Sequence, residues 1–178
     1  MSGIVIYKSK YGATKKYAEW ISEATGFECV ALDKADMKSL SGYDTIVFGG
    51  GVYASGIAGI NVLRKNIEKI RDKKIICYCC AASPYDEKFF SELVKQNLKD
   101  GLEGLPCFYC RGTFDLQGMS FTDKTLCKML RKAVAKKSPD EYEVWEAALM
   151  SVGENEKGDW TDRSYIDPIL KCISGAAE

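Results

Sequence analysis

Five short apolar runs, at 4–7, 27–32, 45–48, 75–80 and 106–111, show almost no apolar/polar alternation. A strand that alternates is wetted on one face; one that does not is covered on both. Between the runs the repeat changes to the helical one. Tyr17, Trp20, Ile21 and Ala24 share a face, as do Ile60, Leu63, Ile67 and Ile70, then Phe90, Leu93 and Val94, and finally Ile166, Ile169, Leu170 and Ile173. Gly26 sits where a helix C-cap is expected. Ser83, Pro84 and Asp86 have the order of a helix start, with a cap, a first-turn proline and a closing acid. Strands alternating with helices predict an α/β fold, a doubly wound five-stranded parallel sheet with helices on both faces. Ligands of such sheets sit outside the carboxyl ends of the strands.

Residues 112–160 exceed what a minimal five-strand fold needs. A basic amphipathic helix is expected at about 122–137, with Leu126, Met129, Leu130 and Ala133 as its apolar stripe. An acidic stretch with Tyr142, Trp145 and Leu149 at helical spacing follows, then a polar turn at 153–159. No linker, repeat or low-complexity tract divides the 178 residues, so 1–178 reads as a single domain. The 25 basic and 25 acidic side chains cancel, which argues against a nucleic-acid partner. Histidine is absent, which excludes a His base and His-ligated metal or haem. The early apolar run is too short for a signal peptide, and eight cysteines lying mostly in apolar strands read as reduced and buried, so a cytoplasmic location is expected.

The first strand runs into Ser9, Lys10, Tyr11, Gly12, Ala13 and Thr14, and a helix follows at once. Amide groups opening a helix carry partial positive charge and bind anions without a basic side chain. Gly12 allows the tight turn, while Ser9 and Thr14 add hydroxyl groups. No Gly-Lys-Ser/Thr ending is present, so this is not a Walker A loop, and one glycine does not make a dinucleotide fingerprint. The loop resembles the flavodoxin phosphate loop, with Tyr11 standing where a hydroxyl residue is usual. A response regulator, which shares the fold, would need an aspartate at Gly49 and an acidic pair at Ser9 and Lys10.

Two further loops belong to the same end of the sheet. After the third strand come Gly49, Gly50, Gly51, Val52 and Tyr53; after the fourth come Ala81, Ala82 and Ser83. The glycines would let backbone approach a planar ring, Tyr53 offers a stacking face, and the small residues leave room opposite. The joint pattern resembles the flavodoxin-like FMN-binding family. That resemblance implies strand order 2-1-3-4-5, one non-covalent FMN, phosphate on Ser9 to Thr14, and a ring between Gly50, Gly51, Val52 and Tyr53 on one side and Ala81, Ala82 and Ser83 on the other. In that family a carbonyl of the glycine region bonds flavin N5–H, and Gly50 and Gly51 are the positions here for it.

With Arg111, Gly112, Thr113, Phe114 and Asp115 followed by a Lys-rich helix, the chain is similar to the branch that includes the menaquinone-dependent, oxygen-independent protoporphyrinogen dehydrogenase. The branch implies an oxidoreductase passing electrons to a quinone; the alternative is an electron carrier between redox proteins. Carriers of this family are typically strongly acidic, and this chain is not. No side chain stands out as a general acid or base. Cys107 and Cys110, three apart on a strand, should point to opposite faces and serve packing. The basic run Lys124, Lys128, Arg131, Lys132, Lys136 and Lys137 reads as a solvated face, or as a peripheral contact of helix 122–137 with an anionic membrane.

Overall fold

A computed structural model describes residues 2–153 and 157–175. Strand β1 (Gly3–Lys8) leads to helix α1 (Ala13–Thr25), and β2 (Glu28–Ala31) to β3 (Thr45–Tyr53). A two-residue strand β4 (Gly56–Ile57) precedes α2 (Ile60–Asn66), β5 (Lys74–Ala81), α3 (Glu87–Asn97) and β6 (Cys107–Arg111). The main sheet runs β2-β1-β3-β5-β6, with parallel pairing along that path and β4 folded back antiparallel on β3. Setting the short β4 aside, this is the expected order 2-1-3-4-5.

The strands divide their side chains between two cores because successive residues point to opposite faces. Ile4, Ile6, Ile46, Phe48, Cys77 and Cys79 pack under α2 and α3, with Leu63 and Leu93 from those helices. Val5, Val47, Ile76, Tyr78 and Cys80 pack under α1 and α6 (Asp167–Ser174), against Tyr17, Ile21, Ile169 and Ile173. Cys107 joins the first core and Cys110 the second, as the strand geometry requires. Helix α3 starts later than expected. Asp86, not Ser83, is its cap, and its carboxylate accepts the Phe89 N–H at 2.8 Å. The Ser83 hydroxyl is engaged instead with the Tyr109 hydroxyl, so Ser83 and Pro84 stay in the loop after β5.

The insertion builds a small third core. Strands β7 (Thr113–Asp115) and β8 (Lys157–Asp159) pair antiparallel, with α4 (Phe121–Val134) and α5 (Val144–Ser151) between them. Phe114, Leu116 and Val152 are buried there, and Ala82, Cys127, Leu149 and Trp160 close around them. Within the polar turn expected at 153–159, residues 154–156 lie outside the described residues, and Lys157–Asp159 is strand rather than turn.

Helix α4 also corrects an expectation. Its apolar stripe forms but does not pack: Leu126 is 60% exposed, Met129 63% and Leu130 43%. The face turned inward carries Asp123, Cys127, Arg131 and Val134. Arg131 donates from Nη1 to the carbonyls of Leu149 and Val152 at 2.7 and 2.6 Å. Charge-assisted bonds to carbonyls with no other helical partner orient this helix in place of apolar burial. No described helix is long and apolar enough to cross a membrane.

Candidate functional site

At the end of β1 the chain turns through Ser9 to Tyr11 and enters α1 at Gly12, whose φ of 97° places it in the left-handed region. A Cβ built at Gly12 would meet nothing within 4 Å, so the turn requires glycine for its conformation and not for space. The amides of Ala13, Thr14 and Lys15 open the helix and have no acceptor within it. Gly12 N–H itself donates to Ser9 Oγ at 3.1 Å, which folds the loop into a cup. Lys10 and Tyr11 stand at the rim. The Lys10 ammonium and the Tyr11 hydroxyl both donate to Asp123 Oδ2 on α4. Hydrogen bonding from Lys10, then from Tyr11, holds the Asp123 carboxyl below its ordinary range, and Asp123 pushes the Lys10 ammonium up.

Thr14 belongs to the floor of this cup. It is buried at 2% exposure, and its carbonyl accepts the Tyr78 hydroxyl at 2.9 Å. A hydrogen bond from its own hydroxyl opposes the burial that pushes the Cys80 thiol up to about 12. The Thr14 side chain is therefore committed to the core, and its amide is the group left to open the helix.

The glycine run lies elsewhere than expected. Gly49, Gly50 and Gly51 are inside β3, laddered to Tyr78, Cys79 and Cys80 of β5. A Cβ would fall 2.0 Å from Tyr78 Cζ at Gly49, 2.5 Å from Ile57 Cγ2 at Gly50, and 2.8 Å from Tyr53 Oη at Gly51. These glycines make room for side chains; they do not form a mobile loop. The Gly51 carbonyl already accepts the Ala58 N–H at 2.9 Å. The reversal comes after them, at Ala54 and Ser55, with φ of 46° and 64° between the paired residues Tyr53 and Gly56. That is a two-residue hairpin turn held in a conformation costly for both side chains.

Asn97 holds it there, and no sequence signal marked this residue. Buried on α3, its Oδ1 accepts the Ile57 N–H and its Nδ2 donates to the Ser55 carbonyl, each at 2.9 Å. Tyr53 projects from the turn, 39% exposed, with its hydroxyl accepting the Lys10 N–H at 3.3 Å and its ring edge-on to Tyr11. Val52 is half-buried beside it. The first two loops thus meet at Lys10 and Tyr53.

The third loop starts one residue later than expected: Ala81 is the last residue of β5, paired with Arg111, and Ala82 and Ser83 follow it, all three half-buried. Ala82 packs on the insertion core, and its carbonyl accepts Arg111 Nε at 3.2 Å. The Ser83 carbonyl accepts the Tyr109 hydroxyl at 2.7 Å, and burial pushes the Tyr109 phenol well up. Gly112 ties this end of the sheet to the first loop, for a Cβ there would lie 2.8 Å from Cys80 Sγ and 3.2 Å from Ala13 Cβ. Arg111 stacks on Trp160 at 4.4 Å beside a cleft of about 440 Å³ that also meets Asp159, Thr161 and Tyr165. Asp123 and Trp160 escaped sequence reading because both reach the site from far along the chain.

The sequence model of the family described as "Flavodoxin domain" matches residues 4–141. No match is found among curated protein sequences. Similar solved structures include a WrbA-like flavodoxin from Agrobacterium tumefaciens, 21% identical, covering 69% of this chain and 87% of that one, with a TM-score of 0.45. A two-electron reduced flavodoxin from Megasphaera elsdenii is 15% identical over 60% of this chain and 82% of that one, with a TM-score of 0.45. Flavodoxin 1 from Bacillus cereus is 14% identical over 85% and 98%, with a TM-score of 0.40. Since residues 4–141 are well over half of the 178, the chain belongs to the flavodoxin domain family, and its cofactor is FMN.

Proposed function

We propose that the chain is an FMN-dependent oxidoreductase of the protoporphyrinogen dehydrogenase type, with a quinone as electron acceptor. One observation carries the flavin part: a left-handed Gly12 at the end of β1 that presents the amides of Ala13, Thr14 and Lys15 together. The donor set fits a phosphate monoester, with backbone amides within the cup and Lys10, Tyr11 and Ser9 around it. Gly50, Gly51, Val52 and Tyr53 would flank the isoalloxazine on one side, and Ala81 to Ser83 on the other. Bound FMN supplies the one- and two-electron chemistry, and the protein binds, orients and shields it. The insertion core against Ala82 supports the enzyme reading, because it adds a wall to one end of the site that a minimal fold would leave open.

A second reading, an electron carrier between redox proteins, is favoured by the site's titratable groups. Lys10 and Tyr53 are raised, Asp123 is lowered, and Tyr109 is raised, so all four keep their ordinary charge at neutral pH. None is poised to exchange a proton there. The absorbance spectrum before and after added FMN tests the shared part; no uptake overturns both readings. Turnover of protoporphyrinogen with a menaquinone analogue is expected for the enzyme, while rapid exchange with a flavin reductase and no turnover assigns the carrier.

A further inference from the structure

Helix α4 presents three parallel ridges, since residues four apart align along a helix. One is Lys124, Lys128 and Lys132, with Lys136 in the turn just past the helix end; the next is Phe121, Thr125, Met129 and Ala133; the third is Thr122, Leu126 and Leu130. Phe121 is 87% exposed, and Leu126, Met129 and Leu130 stand out with it, while Lys132 and Lys136 are exposed beside them. The acid on this helix, Asp123, is turned away onto Lys10 and Tyr11.

Three carboxylates of the nearby acidic stretch are engaged with partners of their own. Glu146 is buried and paired to Lys137, and Glu141 caps the Ser138 N–H. Glu143 accepts the Trp145 indole N–H. Phe121, Leu126, Met129 and Leu130 thus stand exposed beside Lys132 and Lys136.

We propose that this face of α4 binds an anionic lipid surface, lying in the interface with Phe121, Leu126, Met129 and Leu130 among the acyl chains and Lys132 and Lys136 among the headgroups. A second copy of the chain fits less well, because a two-fold contact through this ridge brings lysines toward lysines. The assignment does not rest on flavin binding.

The experiment is flotation of the full-length protein with vesicles of phosphatidylcholine alone and with an equal share of phosphatidylglycerol. Binding is expected to the anionic vesicles and to fall with added salt. Leu126→Ser with Met129→Ser should abolish it, and Lys132→Ala or Lys136→Ala should weaken it about five-fold each. These positions are exposed, so the far-UV spectrum and FMN uptake should remain those of the parent protein. Failure to float with anionic vesicles overturns the proposal, as does flotation that the double variant leaves unchanged. A dimer formed without lipid and lost in the double variant assigns the face to a second copy and also overturns it. FMN uptake is read separately by absorbance, so either reading can fail alone.

Discussion

Gly12 follows one parallel strand and the run Gly49 to Gly51 lies within its neighbour, yet in sequence they look alike. Their physics differs. Gly12 has open space where a Cβ would be and a backbone angle that other residues resist. Gly49 has ordinary strand geometry and no space at all, because the Tyr78 ring fills it. Gly12 shapes the loop proposed to hold a phosphate; Gly49 lets the buried Tyr78 reach across the sheet to the Thr14 carbonyl, under that loop. A glycine-rich signature next to a ligand site therefore has two separable meanings, conformation and volume. Single substitutions tell them apart.

The largest effect is expected at Gly49. Gly49→Val forces the Tyr78 ring out of a fully buried position, and urea unfolding should show a loss of about 3 kcal/mol. Asn97→Ala comes next. It leaves the Ile57 N–H and the Ser55 carbonyl without their partner, for about 2 kcal/mol, and should free the Ala54–Ser55 turn to faster hydrogen exchange. Gly12→Ala should cost about 1–2 kcal/mol, from backbone strain alone. It should also lower FMN affinity about ten-fold by tilting the amides. If Gly49→Val costs less than Gly12→Ala, the division between volume and conformation is wrong.

The smallest effect is a pH dependence. The folded-state carboxyl of Asp123 is depressed, so its contribution is complete above the unfolded value of about 3.9 and is lost as pH falls through the lower folded one. Melting temperature should therefore drop between pH 5 and pH 3, and Asp123→Asn should flatten that part of the curve. An unchanged curve would mean that the contact between α4 and the first loop contributes nothing.

Much of the scaffold was legible. The unalternating apolar runs and the helical faces at Ile60, Leu63, Ile67 and Ile70, or Ile166, Ile169 and Ile173, report burial directly, and burial follows local period. The cup at Gly12 was legible for the same reason, being built within six residues. Longer-range balances were not. The glycines at 49 to 51 read as loop because nothing in the sequence says that Tyr78 and Ile57 need their volume. Asn97, Asp123 and Trp160 act on residues 40 or more positions away. The outward stripe of α4 was misread because a hydrophobic period fixes a face, not the side on which the protein lies. Arg131 and Asp123, bonded inward, decided that side.

The Asp123 contact gives α4 a second significance. Its carboxylate grips Lys10 and Tyr11 at the rim of the cup, and it lies two residues from Phe121 and three from Leu126, the tip of the outward face. A displacement of that helix would therefore bear first on Lys10 and Tyr11, at the rim of the proposed phosphate cup. If that cup holds the cofactor's phosphate, the outer face of α4 and the cofactor are joined through a single carboxylate.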